Sequence, residues 1–458
     1  KTLNALELEI VKRTGPPVFK EAMNRVFDND AFHHRGVLMS FDLNGDGRSE
    51  LVHPSSNSVF WYLPGGQFKR TRLLQHPILP IPCGLLADFN GDGRADLLCT
   101  AGYPTPWLLM YFADSDGQFN REAVDAVDSP LKKSLASSLI NPSVLTAGDI
   151  DHDGDLDVWI GQYRLMFTDG YIPTPYYDAN DGYPSYLLVN QGGGRFTDAT
   201  EQAGLARKRF RRNFSASLVD LDGDLDLDLI TVNDFAGIDV YRNDGRGHFT
   251  DVTSAAVNER NLYGMIHTVG DYNLDGKLDL YVIGMSSTTA NRLASMNLGR
   301  EEFPEHQKMR VKMGYGNRML LGGVEPGHFQ QASWNDQVAK TGWSWGTTSF
   351  DLDTDGDLDI YVANGYVSDL SCRDYCTVFW RHDIYTKGTP EAKSQLLRRT
   401  VSRYHFGGAP VSWNGFEHNV LLMNHAAQGV SGFTNVAFLM GLAFEFDSRA
   451  VIGTDLNL

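Results

Sequence analysis

Residues 88–100 read DFNGDGRADLLCT, and the reading of the whole chain starts from that stretch. Asp88, Asn90, Asp92 and Asp96 fall at positions one, three, five and nine of a tight loop, with Gly93 at its bend. A hard cation of calcium's size takes six to eight oxygens at about 2.3–2.6 Å, and alternate acids in a loop turn their oxygens toward one centre. Glycine permits the bend that wraps the chain around the ion. Without a metal, carboxylates this close together repel one another. The LLCT that follows is short, apolar and β-prone, as a buried strand between turns should be.

The unit recurs. Equivalent loops read DLNGDGRSE from Asp42, DIDHDGDLD from Asp149, DLDGDLDLD from Asp220, DYNLDGKLD from Asp271 and DLDTDGDLD from Asp351, and a further one begins at Asp455 as DLNL. After each comes a β-rich run, such as VWIG after Asp157 or IYVANG after Asp359. A second hairpin signal then closes on a Gly-rich turn and a Phe, as in WLLMYFADSDGQF, YLLVNQGGGRF and IDVYRNDGRGHF. Three or four short strands per unit, with the acidic loop at one place in each, suit a radial propeller. The expected fold is all-β: a seven-bladed β-propeller over residues 37–458, six complete repeats plus a partial seventh. Closure of the seventh blade falls to the N-terminal segment 1–36, to a further C-terminal stretch or to another chain.

Side-chain oxygens from positions one, three, five and nine, with the carbonyl of position seven, define the expected calcium ligands. They are Asp42, Asn44, Asp46 and Glu50 with Arg48; Asp88, Asn90, Asp92 and Asp96 with Arg94; and Asp149, Asp151, Asp153 and Asp157 with Asp155. Further along they are Asp220, Asp222, Asp224 and Asp228 with Asp226; Asp271, Asn273, Asp275 and Asp279 with Lys277; and Asp351, Asp353, Asp355 and Asp359 with Asp357. An EF-hand needs a bidentate Glu at position twelve and flanking helices. That position holds His53, Cys99, Ile160, Thr231, Val282 and Val362, all in strand-like sequence, which excludes it. The loop at Asp220 is the weakest copy: Leu225 stands at the bend and Gly223 two residues earlier, so a distorted or less occupied site is expected there.

These loops and strands resemble the FG-GAP or VCBS repeat of integrin α-chain propellers and many bacterial surface proteins. A narrower likeness is to bacterial relatives of the cartilage acidic protein family (ASPIC/UnbV type). It is carried by TGWSWGTTSFDLDTDGDLDIYVANGY from Thr341, GNRMLL from Gly316, DYCTVFW from Asp374, SWNGFEHNVLLMN from Ser412 and DSRAVIGTDLNL from Asp447. The resemblance implies a seven-bladed, calcium-binding extracellular propeller and little about chemistry.

Lys and Arg number 40 against 57 Asp and Glu, a formal charge of -17, which argues against sequence-independent binding to nucleic acid or anionic lipid. Bound divalent cations would cancel part of that charge. No stretch approaches the roughly 18–20 apolar residues of a membrane span. The chain opens on Lys1 without a signal-peptide core, and the expectation is a leader already removed and a secreted, cell-surface or periplasmic protein. Pairing of Cys83 with Cys99, across one acidic loop, and of Cys372 with Cys376 would suit an oxidising compartment; buried free thiols are the alternative.

Successive loops lie about 46 residues apart early in the chain and about 100 at its end, the surplus sitting in insertions near 284–317 and 364–418. The first has helical periodicity; the second holds Cys372, Cys376 and CTVFWRHDIY. Long insertions on a rigid scaffold usually carry recognition. His33, His34 and His382 could ligate a transition metal or act as bases, but none has partners at a diagnostic spacing, and surface or packing roles are expected. No nucleophile elbow, HExxH, P-loop or dinucleotide fingerprint appears. Asn213, in NFS, is a formal glycosylation acceptor. The function expected is therefore a calcium-stabilised structural, adhesive or protein/glycan-binding module and no enzyme. The alternatives are a carbohydrate-active lyase or dehydratase with its site in the channel or under the insertions, and an accessory subunit of an envelope assembly or homo-oligomer.

Overall fold

The computed structural model describes Phe19 and residues 36–454, apart from 65, 103–105, 166–171, 174, 369–375, 377–378, 381, 386–411 and 413. Among these residues the chain forms six four-stranded antiparallel sheets, each built from four strands consecutive in sequence. Blade 1 holds β1 (Met39–Phe41), β2 (Glu50–His53), β3 (Ser58–Leu63) and β4 (Gln67–Arg72); blade 2 holds β5 (Cys83–Ala87), β6 (Asp96–Ala101), β7 (Trp107–Tyr111) and β8 (Val124–Asp125). Blade 3 comprises β9 (Pro142–Gly148), β10 (Asp157–Gln162), β11 (Tyr186–Asn190) and β12 (Phe196–Asp198), and blade 4 comprises β13 (Arg212–Val219), β14 (Asp228–Asp234), β15 (Gly237–Asn243) and β16 (Phe249–Asp251). Blade 5 runs through β17 (Gly264–Gly270), β18 (Asp279–Gly284), β19 (Arg318–Gly322) and β20 (Phe329–Gln331), and blade 6 through β21 (Ser344–Phe350), β22 (Asp359–Asn364), β23 (Val420–Asn424) and β24 (Phe433–Asn435).

The second strand of blades 2 to 6 is buried at every residue. A sheet covered on both faces selects continuous apolar runs in place of alternation, which is why these strands read as LLCT, VWIG and LYVIG. Facing sheets interlock: Phe89, Leu98 and Met110 of blade 2 pack with Val158, Leu188 and Phe196 of blade 3. Each such side chain contributes about 1.5–3 kcal/mol when buried.

Two expectations are corrected. The ring has six blades among the described residues, and not seven. The stretch after β24 supplies a short helix at Ala437–Met440 and an extended segment, with no fourth-order sheet around it, and the acidic loop at Asp455 lies outside the described residues. Cys83 and Cys99 are buried free thiols. Cys83 lies opposite Thr100 and Cys99 opposite Gly84, so the two are one register step apart and their side chains leave the sheet on opposite faces. Burial pushes the Cys83 thiol up to about 12 and the Cys99 thiol higher still. Cys372 lies outside the described residues, as do His33, His34 and the His382 side chain.

Strand polarity gives the ring two distinct ends. All six acidic loops join first to second strands and share one end. Connections from second to third strands share the other, and they are long in blade 3 (163–185), blade 5 (285–317) and blade 6 (365–419). The last two match the expected insertions; the first is an addition. Helical periodicity in the blade 5 insertion resolves into α1 (Thr288–Ser295), capped by Ser287, and α2 (Pro304–Met313).

Candidate functional site

Each acidic loop is organised by its first residue. Asp42 Oδ1 accepts the amides of Gly45 and Asp46 at 2.8 and 3.2 Å, and Oδ2 accepts that of Gly47 at 2.8 Å. Asp88 and Asp220 repeat all three bonds, and Asp149, Asp271 and Asp351 accept the fifth- and sixth-position amides. The fifth-position Asp accepts the seventh-position amide, as Asp92 does from Arg94 at 3.0 Å. The turn so formed has two left-handed residues. The sixth position is Gly47, Gly93, Gly154, Gly276 and Gly356 in five loops, and the fourth is Gly45, Gly91 or Gly223 in three.

This explains the loop at Asp220. Gly223 is not displaced; it fills the fourth position, and Leu225 adopts the sixth-position conformation at φ 75°. Its amide still reaches Asp220 Oδ2 at 3.0 Å, so the expected distortion is absent from the hydrogen bonding and is replaced by backbone strain.

The carboxylates converge. One oxygen from each of Asp149, Asp151 and Asp153 lies within 4.8 Å of the others, and the same holds for Asp220, Asp222 and Asp224 and for Asp351, Asp353 and Asp355. Asn44, Asn90 and Asn273 stand at the third position of the remaining loops. Buried Oδ1 atoms of Asp151, Asp222 and Asp357 have no hydrogen-bond partner. Burial, followed by the charge of the next acid, raises the carboxyls of Asp151 and Asp353. Asp222 already pairs with Arg242 through its other oxygen at 2.8 Å; the remaining orphaned carboxylate oxygens beside like charges fit a hard cation, which would supply a further positive partner.

The ninth position has a second task that the spacing does not reveal. Asp359 has no exposure; its Oδ2 accepts the Leu352 amide at 3.0 Å and its Oδ1 the Asn424 amide at 2.8 Å. Asp157, Asp228 and Asp279 do the same between their own loop and their own third strand, and Asp96 does so between Phe89 and Ala113, two residues past β7. Glu50 accepts the Leu43 amide at 2.9 Å. Burial pushes Asp157 up to about 7 and Asp96, Asp228, Asp279 and Asp359 up to about 6. These acids bolt each loop to the sheet beneath it.

At the opposite end the three insertions form a cap. Asp383, in the short helix α3 (His382–Tyr385), accepts Arg310 Nε of α2 at 2.6 Å, and neither side chain is exposed. Tyr176, from the blade 3 insertion, donates its hydroxyl to the His306 carbonyl at 2.7 Å. Trp380 Nε1 and Cys376 Sγ both meet Ser287 Oγ. Beside the cap, Trp343 and Trp345 stack at 6.2 Å, Tyr366 stacks on Trp345 at 5.1 Å, and the Arg449 guanidinium lies 4.4 Å over both Trp345 and Tyr366. Phe214 meets the edge of Trp345, and Tyr163 stacks on Phe214 at 4.0 Å. The Tyr163 hydroxyl donates to Asp234, whose carboxyl burial pushes up to about 7. Trp345 and Tyr366 are half-buried and Arg449 is exposed. The sequence phrase TGWSW signalled this ladder only as a likeness. Asn213 is buried in β13, its amide bonded to the Ser215 and Val232 carbonyls, and is not presented for glycosylation.

The chain carries FG-GAP-like repeats: the family model of that description matches residues 42–99, 88–160 and 220–282. No curated protein matches the chain in sequence. Similar solved structures include an Agrocybe aegerita lectin described for specific recognition of non-reducing terminal N-acetylglucosamine, 16% identical over 72% of this chain and 75% of that one, with a TM-score of 0.46. The V. cholerae biofilm matrix protein Bap1 is 16% identical over 58% of this chain and 39% of its own, at a TM-score of 0.29. A Trypanosoma rangeli sialidase in complex with sialic acid is 10% identical over 69% and 48%, at 0.33. The chain thus spans less than half the length of the latter two.

Proposed function

We propose that this β-propeller is a secreted module, stabilised by calcium at its acidic loops, that binds a protein or glycan partner through its capped end. One observation carries the reading: the loops occupy one end of the ring, while all three long insertions and the half-buried Trp345–Tyr366–Arg449 ladder occupy the other. Aromatic faces beside fixed polar groups suit sugar rings and flat protein epitopes alike. Metal at the far end would stiffen the scaffold and touch no ligand.

The test has two parts. Metal analysis of the purified protein, with unfolding followed in millimolar calcium and in excess chelator, is expected to find several bound calcium ions and a lower midpoint without them. A single ion present at a thousand times its Kd contributes about 4 kcal/mol. Screening glycan and protein partners against wild type and Trp345→Ala should then lose binding in the variant while its metal content stays unchanged. A midpoint indifferent to chelator would sink the metal half; partners bound equally by Trp345→Ala would sink the other. A lyase or dehydratase reading would draw on the Asp383 cluster, but Asp383, Arg310 and Tyr176 are buried and bonded to one another, as packing residues are. Turnover of an oligosaccharide would reverse that preference.

A further inference from the structure

The acidic loops differ in where their positive charge comes from. In blades 2 to 6 the ninth-position acid accepts the amide of Ala113, Asn190, Asn243, Gly322 or Asn424, at or just past the end of the third strand. The residue before each of these is Phe112, Val189, Arg242, Leu321 and Met423 in turn. Four are apolar. The fifth is a guanidinium, and it turns to its own blade's loop: Arg242 Nε pairs with Asp222 Oδ2 at 2.8 Å, where the Asp222 side chain is only 10% exposed.

The next blade is shaped around this pair. A methyl added at Gly327, in the turn between β19 and β20, would lie 2.4 Å from Arg242 Nη2 and 3.0 Å from Asp222 Cβ. Gly194, which like Gly327 stands two residues before the Phe of its fourth strand, covers the Phe112 ring of blade 2 in the same way, at 3.1 Å. The turn that covers an apolar ring in blade 2 thus covers a guanidinium in blade 4. An ion pair in open solvent contributes little, but one held under a neighbouring turn keeps its geometry and is less screened. The same loop departs from the others twice more. Leu225 takes the sixth position, and Asp226 Oδ1 lies 2.8 Å from His152 Nε2 of the blade 3 loop. Arg94 and Lys277 also reach an acid, but it is the fifth-position one, approached from the seventh position of loops whose third position is Asn. Asp151 and Asp353, the third-position acids of blades 3 and 6, pair with no Lys or Arg among the described residues.

We propose that the Arg242 guanidinium is the resident counter-ion of the blade 4 loop, so that this loop keeps its form without calcium where the loops of blades 3 and 6 depend on the ion. The comparison with those two loops rests on the calcium reading given above; the role of Arg242 does not. The test is hydrogen exchange followed by mass spectrometry on the full chain, in millimolar calcium and in excess chelator. It reads the amides of Gly223, Asp224 and Leu225, which Asp220 accepts, against the clasped amides of the loops at Asp149 and Asp351. In the wild type, chelator is expected to release the two reference loops and to leave residues 220–228 protected. Arg242→Leu, the residue type that blade 5 uses, should exchange about tenfold faster over 220–228 in chelator, the order expected on removing one charge-assisted pair, and recover in calcium. Arg242→Lys, which keeps the charge, should retain most of the protection. A wild-type blade 4 loop that opens in chelator as the reference loops do would overturn the proposal. So would an Arg242→Leu loop that stays protected there, or an Arg242→Lys loop that opens as far as the Leu variant. Reference loops indifferent to chelator would count against the calcium reading instead, and the two Arg242 variants would still decide the counter-ion.

Discussion

Asp359→Asn separates the two tasks of the ninth loop position. The wild-type carboxylate accepts two backbone amides inside the sheet, from Leu352 and Asn424, at 3.0 and 2.8 Å and with no solvent exposure. Asn keeps the shape but only one acceptor oxygen, so one amide is left facing an NH2 group. A hydrogen bond to a charged group contributes about 1.5–3 kcal/mol, and a buried unsatisfied N–H costs about 1–3 kcal/mol. The carboxylate is itself disfavoured by burial, which pushes its pKa up to about 6, so part of the loss is offset. The expected net loss is about 2–4 kcal/mol, or about 4–8 °C in Tm at roughly 2 °C per kcal/mol. Calorimetry is run on both proteins in calcium and in excess chelator. If the acid bolts loop to sheet, the difference persists in chelator. A difference that vanishes there would show that Asp359 acts through the ion alone and would refute the bolt.

Leu225→Gly should stabilise the protein by about 0.5–1 kcal/mol, because it relieves a left-handed Leu while losing little packing from a side chain that is 78% exposed; equal denaturation midpoints would contradict this. His267 is buried, shares a hydrogen bond at Nδ1 with Ser215 Oγ, and burial lowers its pKa to about 4. Its folded pKa lies below the unfolded value of about 6.5, so its contribution is fully present above that pH and is lost as pH falls toward 4. The loss reaches about 3 kcal/mol and shows as a steeper acid slope of stability than in His267→Gln. Arg310→Met removes the guanidinium that pairs with the buried Asp383 carboxylate and should cost about 3–5 kcal/mol, read as faster proteolysis within the insertions at unchanged metal content.

The propeller was legible because its signal repeats: six loops with the same internal ligand spacing, five of them followed by a fully buried strand, leave little room for another architecture. Blade count was less legible, since DLNL at Asp455 has the chemistry of a loop opening, which alone does not say how many sheets the chain forms; six are seen among the described residues. The thiols misled because sequence places Cys83 and Cys99 on neighbouring strands without giving the register, and one step of register decides which face a side chain leaves. Gly223 misled in a similar way: the loop needs two left-handed residues, and a reading built on one bend glycine took the other for an error. The Arg310–Asp383 pair had no local signal, because its partners are more than seventy residues apart and meet only when two insertions fold together.

The strands themselves join the two ends of the ring. The second strand of each blade begins at the ninth-position acid, under the acidic loop, and in blades 3, 5 and 6 it ends where a cap insertion departs: β22 runs from Asp359 to Asn364, whose side-chain amide holds the carbonyls of Thr341 and His418. A strand of six buried residues is a stiff rod in a close-packed core, so the cap inherits its footing from the loops without touching them. That arrangement lets the insertions of blades 3, 5 and 6 vary in length and chemistry while the loop, the bolt and the strand stay fixed. It also explains why the acids read so clearly in sequence and the cap so poorly: the repeated part is constrained by geometry at every copy, and the capped end is constrained only by what it meets.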